Sequence, residues 1–200
     1  MAQKTHNSFA DDDELKNFTD LSGQFLLAMP NVDSGVFSGS VVYLFEHSPD
    51  GASGVIINRV TDIELSELAE RFELNVADDL TQQWVFFGGP LQATQAFLLR
   101  RASEVEDAES GAEDILVFNN SRDALQSYLL GEGPKDVFIC FGYAGWDGGQ
   151  LEDELQQNVW LTINADLDII FDCPVHDRYR VILATLGIEP SSLSSQIGHA

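Results

Sequence analysis

The stretch from Val137 to Trp160 constrains this chain more than any other. Val137, Phe138, Ile139, Cys140 and Phe141 form an unbroken apolar run, which predicts a strand buried on both faces. The segment GYAGWDGGQ follows and reads as a glycine-rich turn opening onto a short acidic helix. Within that helix Leu151, Leu155 and Val159 recur every four positions, while Gln150, Glu154 and Asn158 recur with the same spacing on another face. One face packs; the other holds amides and a carboxylate.

A glycine-rich link between strand and helix suggests phosphate binding, because free N–H groups at a helix start carry a small positive potential. The neighbouring residues oppose that reading. No Lys-Ser or Lys-Thr pair follows the glycines, no G-x-G-x-x-G spacing is present, and Glu152, Asp153 and Glu154 stand where a phosphate would lie. These acids already complement the helix dipole. The glycines are better explained by backbone turns with positive φ and by close packing beside Tyr143 and Trp146. A binding groove along Gln150, Glu154 and Asn158 is the second reading.

At 200 residues and 44% apolar content, the chain can bury a core as one domain, and its 13 Phe favour a large sheet component. The net charge of −23 is the stronger constraint. Little of it comes from the N-terminus, where Asp11, Asp12, Asp13, Glu14 and Asp20 face Lys4 and Lys16, so the acidity belongs to the fold. Nucleic-acid affinity rests on Lys and Arg displacing counterions, and the scattered basic residues form no stripe. Neither direct nucleic-acid binding nor docking on an anionic membrane is expected. The charge either serves solubility alone or steers toward a partner protein with a basic surface. The N-terminus lacks the apolar core of a secretory signal, and no apolar run approaches the roughly 18 residues of a membrane span, so a cytoplasmic location is expected. Cys140 and Cys173 have no zinc-site spacing and read as reduced structural thiols. No metal or cofactor is expected.

Residues 1–20 read as a mobile acidic extension and 21–200 as one domain. Strands are predicted at Gln24–Met29, Val41–Phe45, Gly54–Ile57, Trp84–Phe87, Ala96–Arg100, Ile115–Phe118, Val159–Ile163 and Leu167–Phe171. The second and third of these form an antiparallel pair around Ser48-Pro49-Asp50-Gly51. Ala96–Arg100 is expected to pair beside Trp84–Phe87. Helices are predicted over Glu64–Phe72, between the N-cap Ser121 and the stop Gly131, and from near Pro174 to Gly187. The last should bury Val175, Tyr179, Ile182, Leu183 and Leu186. Between Ala102 and Asp114 there are six acids and no base, which predicts a solvated loop. Strict strand-helix alternation is missing, so the fold class is α+β with a mostly antiparallel, curved sheet.

The order and spacing of several short segments resemble the bacterial AlgH/YqgE family. They are Leu27-Ala28-Met29-Pro30, Ser40-Val41-Val42-Tyr43 with Glu46-His47, Gly54-Val55-Ile56-Ile57-Asn58-Arg59, Gly88-Gly89-Pro90, Gly142-Tyr143-Ala144-Gly145-Trp146 and Gly149-Gln150-Leu151-Glu152, followed by Asn158, Trp160 and Gly198-His199-Ala200. Val60 departs from the usual proline after Asn-Arg, and the acidic 102–114 segment is a second departure. The resemblance implies a branched, mainly antiparallel sheet closing into a pseudo-barrel with flanking helices. It also implies a transcriptional-regulator label, and it supplies neither catalytic residues nor a cofactor.

Two candidate sites follow from the residues. The first is a contact surface of Tyr143, Trp146, Gln150, Glu154 and Asn158, an aromatic and amide cluster without a nucleophile. It suits a non-catalytic regulatory or protein-interaction module. The second is a pocket using Glu46, His47 and Arg59 for a small ligand or for proton transfer. Arg59 and Arg178 are also expected to pair with local acids, Arg178 with Asp177.

Overall fold

The computed structural model describes residues 18–29, 35–101, 116–132 and 136–188. The acidic segment 102–114, residues 1–17 of the expected extension and the C-terminal Gly198-His199-Ala200 lie outside the described residues. Of residues 18–20, assigned to the extension by composition, Phe18 packs on the domain, its ring 4.7 Å from that of His47, while Thr19 and Asp20 are exposed.

In chain order the elements are β1 (Gln24–Ala28), β2 (Val41–Ser48), β3 (Gly51–Ile56), β4 (Val60–Glu64), α1 (Leu65–Arg71), β5 (Trp84–Phe87), β6 (Leu91–Arg101) and β7 (Leu116–Asn119). There follow α2 (Arg122–Leu129), β8 (Val137–Asp147), α3 (Gln150–Gln156), β9 (Trp160–Asn164), α4 (Asp168–Phe171) and α5 (Arg178–Thr185). A short 3-10 turn covers Gly35–Phe37. The nine strands form one mixed but mostly antiparallel sheet in the order β4-β5-β8-β3-β2-β1-β9, with β6 and β7 branching from β8. The branch agrees with expectation. The closed pseudo-barrel does not form, because β4 and β9 end the hydrogen-bonded path without pairing with each other.

β8 is the common element. Its first half pairs with β5 in parallel through Cys140 and Phe141 and with β6 through Val137 to Phe141, while its second half, Ala144 to Asp147, pairs with β3. Because side chains alternate along a strand, it feeds three apolar clusters: Phe138 and Cys140 one, Ile139 and Phe141 another, Ala144 and Trp146 a third. The first lies under α4 and α5, the second under α1 and α2, and the third under α3.

The segment GYAGWD is therefore strand rather than turn; the chain leaves the sheet only at Gly148 and Gly149. Gly142, at φ 69°, marks the change of partner. A Cβ there would stand 2.3 Å from the Gly89 carbonyl oxygen, and one on Gly89 would stand 2.2 Å from the Tyr143 carbonyl carbon. Backbones touch at this crossing, and any side chain would force them apart.

Four other expectations change. β2 runs through Glu46 and His47 instead of stopping before them. β6 pairs with β7 and β8, not with β5, because β5 is already held between β4 and β8. Leu167–Phe171 is a helical turn, α4, not a strand; the Asp166 carboxylate accepts the Asp168 N–H at its start, and a short apolar run is ambiguous by periodicity alone. The last helix begins at Arg178, after a turn over 175–177, and leaves Leu186 37% exposed. By contrast, α2 follows its signals, with the Ser121 hydroxyl accepting the Ala124 N–H at 3.4 Å and Gly131 at φ 74°.

The two kinds of glycine make separable demands. Gly149→Ala, at φ 79° with open space around the added methyl, should cost about 1–2 kcal/mol of unfolding free energy for its left-handed backbone. Gly142→Ala should cost at least ~3 kcal/mol, because backbone overlap adds to the same conformational penalty. Urea unfolding of both variants, followed by circular dichroism, measures the difference.

Candidate functional site

The stripe expected to face a partner is divided: Trp146 is buried, Tyr143 and Glu154 are half-buried, and Gln150 and Asn158 are exposed. Trp146 is only 7% exposed, and its indole N–H donates to Glu154 Oε2 at 2.9 Å. The Trp160 indole donates to the same oxygen at 2.7 Å, and Gln150 Nε2 donates to Oε1 at 2.9 Å. The other end of Gln150 accepts the Asp147 N–H at 3.1 Å. Phe37 lies 6.2 Å from Trp146 and 5.7 Å from Trp160, closing the cluster from the 3-10 turn. Asn158, at φ 55°, lets the chain leave α3 toward β9. Trp146 and Glu154 are thus committed to internal bonding and Gln150 is tied to them from the surface, while Asn158 stays exposed. A carboxylate among indoles needs donors in place of water, and two indole N–H groups supply them.

The second expected set does not converge either. Glu46 and His47 are consecutive on β2 and so face opposite sides. The His47 side chain is 2% exposed; Nδ1 accepts the Leu21 N–H at 3.0 Å and Nε2 lies 2.9 Å from Glu152 Oε1. Because a backbone N–H can only donate, Nδ1 is the acceptor and Nε2 carries the proton given to Glu152. Arg59 points elsewhere, its two terminal nitrogens donating to the carbonyls of Val36 and Ser38 in the 3-10 turn. Arg178, 4% exposed, also avoids acids: it donates to the carbonyls of Cys173 and Ile57 and lies over the Phe86 ring at 5.2 Å. Burial pushes its pKa down to about 10, so it stays charged at neutral pH. Asp177 pairs with Arg180 instead, at 2.8 Å.

One residue from each expected set meets at a third place. Glu46 and Tyr143 line a cleft of about 290 Å³. Its floor is aromatic: Phe118 is stacked between Phe45 at 4.1 Å and Phe97 at 4.8 Å, and Tyr143 meets Phe97 at 5.6 Å with the ring planes near perpendicular. Its rim carries Glu46, Ser53, Gln92, Asn119 and Asn120. Five strands contribute, and β6 does so by an irregularity. Leu91 pairs with Tyr143 and Ala96 with Phe141, so the intervening residues 92–95 have Gly142 alone opposite them. The bulge carries Gln92 at φ 49°, a conformation costing about 1–2 kcal/mol for a residue with a Cβ. Bulges and strained residues concentrate beside binding sites, where they re-aim side chains.

A smaller depression of about 200 Å³ shares Glu46 and Ser53 and adds Asp50. Among the described residues neither lining contains Lys, Arg or His. Sequence reasoning missed Gln92, Asn119 and Asn120, although the Asn119-Asn120 pair directly after an apolar strand was a usable signal. Among the described residues, no group of three His, Cys, Asp or Glu is placed to hold a metal ion. Burial raises the Cys140 thiol far above its ordinary range.

The AlgH-like family model (DUF179) matches residues 25–191, which include the cleft, the Glu154 cluster and the Gly142 crossing. The chain belongs to this family. UPF0301 protein Bpet0561 of Bordetella petrii is 45% identical over 202 residues, covering 100% of both chains. A UPF0301 protein of Ralstonia pickettii is 41% identical over 181 residues, 90% of this chain and 95% of its own length. The solution structure of AlgH from Pseudomonas aeruginosa superposes with a TM-score of 0.71 at 33% identity over 100% of each chain. Protein DIP2367 of Corynebacterium diphtheriae shares the fold, with a TM-score of 0.65 at 20% identity over 96% of this chain and 100% of its own.

Replacing Glu154 with Gln should turn one accepting oxygen into a donor facing donors. The expected loss is about 1–3 kcal/mol, because two half-buried indole N–H bonds no longer end on a charge. Chemical unfolding measures it, and the indole N–H resonances of Trp146 and Trp160 should both move.

Proposed function

We propose that this AlgH-like chain is a non-catalytic regulatory module of the cytoplasm that engages a partner protein through the aromatic cleft. The observation that carries this reading is the bulge in β6, which holds Gln92 in a strained conformation beside a polar-rimmed aromatic floor. A core needs no such arrangement, whereas a contact site uses rigid aromatic surface bordered by hydrogen-bonding groups. His47, the most plausible proton-transfer group by sequence, is committed to Leu21 and Glu152, which favours binding over catalysis. The net charge of −23 favours a partner with a basic surface and opposes direct DNA contact, so the regulatory role inferred from the family resemblance is exerted through protein.

A second reading is a small-ligand site in the same cleft. Its volume of about 290 Å³ lies near the lower end of ligand pockets.

Asn120 is exposed and borders both the aromatic cleft and a neighbouring one of about 320 Å³, so Asn120→Trp should fill the entrance while changing stability by no more than about 0.5 kcal/mol. In living cells, proximity labelling with the wild type should mark at least one protein that the variant leaves unmarked. Identical labelling, with the variant folded, overturns the cleft as the contact surface.

A further inference from the structure

We propose that the cleft receives a single organic cation, the guanidinium of an arginine side chain on the partner, with Glu46 as its counter-ion. This rests on the preceding assignment of the cleft as the contact site and adds the chemistry of what enters it.

The cleft is built to accept positive charge. Glu46 is exposed at its rim, and among the described residues its carboxylate has neither a hydrogen bond nor an ion pair, although the chain's other acids at Glu152, Glu154, Asp168 and Asp177 are engaged. Among the described residues no basic one lines the cleft. Asp50 in the adjoining depression adds a second carboxylate on the same side of the molecule, again without a base. The remaining rim groups, Ser53, Gln92, Asn119 and Asn120, bring hydroxyl and amide oxygens that accept hydrogen bonds from N–H donors. Beneath them Phe118 is covered on both faces by Phe45 and Phe97, so the ring surface available to a cation is that of half-buried Phe45 and Tyr143.

Guanidinium fits this set better than ammonium. Its flat face lies against aromatic rings while its edge carries five N–H donors for a carboxylate and surrounding carbonyls. The chain itself uses this pairing elsewhere: Arg178 lies over Phe86 and Arg101 over Phe171, each with the guanidinium carbon 5.2 Å from the ring centroid. An anion would meet Glu46 with no compensating base. A neutral apolar group would strand the rim oxygens, which costs more than leaving them in water.

The test uses the full chain, isotope-labelled for NMR, titrated with Nα-acetyl-arginine amide and with Nα-acetyl-citrulline amide, its uncharged isostere. The arginine probe should shift the amide signals of Glu46, Gln92, Asn119 and Tyr143, and should bind about fivefold more tightly than citrulline, the size of a partly exposed charge pair with a ring contact. Added salt should narrow that gap. In Glu46→Gln, where an exposed unpaired side chain is changed conservatively, the preference for arginine over citrulline should fall to about twofold, the part due to the ring contact. Equal binding to the wild type overturns the cation assignment and leaves the cleft as a contact site. Absence of any shift in the cleft with the arginine probe also overturns it, while proximity labelling with Asn120→Trp decides the contact site separately. If free spermidine binds more tightly than the arginine probe, the arginine assignment is overturned in favour of a soluble polyamine.

Discussion

The sheet depends on three glycine backbones meeting at one point. Gly88, Gly89 and Gly142 approach so closely that a Cβ on any of them would lie within 2.4 Å of a neighbouring heavy atom. That contact lets β8 exchange β5 for β3 halfway along its length while β6 stays on its other side. Without the crossing, β8 could not contribute to all three apolar clusters. The bulge in β6 also lies opposite Gly142, so the crossing and the cleft share one irregularity in the sheet.

Glu154 plays the corresponding part for α3. A helix of seven residues is too short to be stable by itself, and its buried anchor is Leu151. The carboxylate ties it to β8 through Trp146, to β9 through Trp160, and to its own start through Gln150. His47 adds a second tie from β2 to Glu152. The acidity of this helix, which alone suggests an electrostatic display, is in large part structural bonding. The acid left unbonded at the cleft has another environment: Glu46 is solvated and shares the cleft with aromatic rings and, among the described residues, with no base.

Much of the secondary structure was legible because local signals agreed with one another. Trp84–Phe87 is a strand at its predicted bounds, and α1 and α2 lie where apolar spacing and capping placed them. Elements were misjudged where the signal was short or carried two meanings. Leu167–Phe171 has the composition of a strand and the dimensions of a helical turn. The glycines after Phe141 resemble a turn in one dimension, yet in the sheet they are strand residues that must lack side chains. At the candidate site, Glu46 and Tyr143 were recognisable as groups with chemistry to offer. Nothing local indicated that they would share a cleft, or that His47 and Arg59 would be turned away from it.

The sequence alone determined the fold class, the family and the acidic charge, because apolar periodicity, motif spacing and ionisable groups are properties of the chain before it folds. Tertiary structure decided which acids are bonded and which are open to a partner. Burial and hydrogen bonding depend on elements far apart in sequence: Glu154 is satisfied by tryptophans on two strands, while Glu46 meets Phe118 and Tyr143 only because β2, β7 and β8 converge. Identical carboxylates therefore acquire opposite roles from their surroundings.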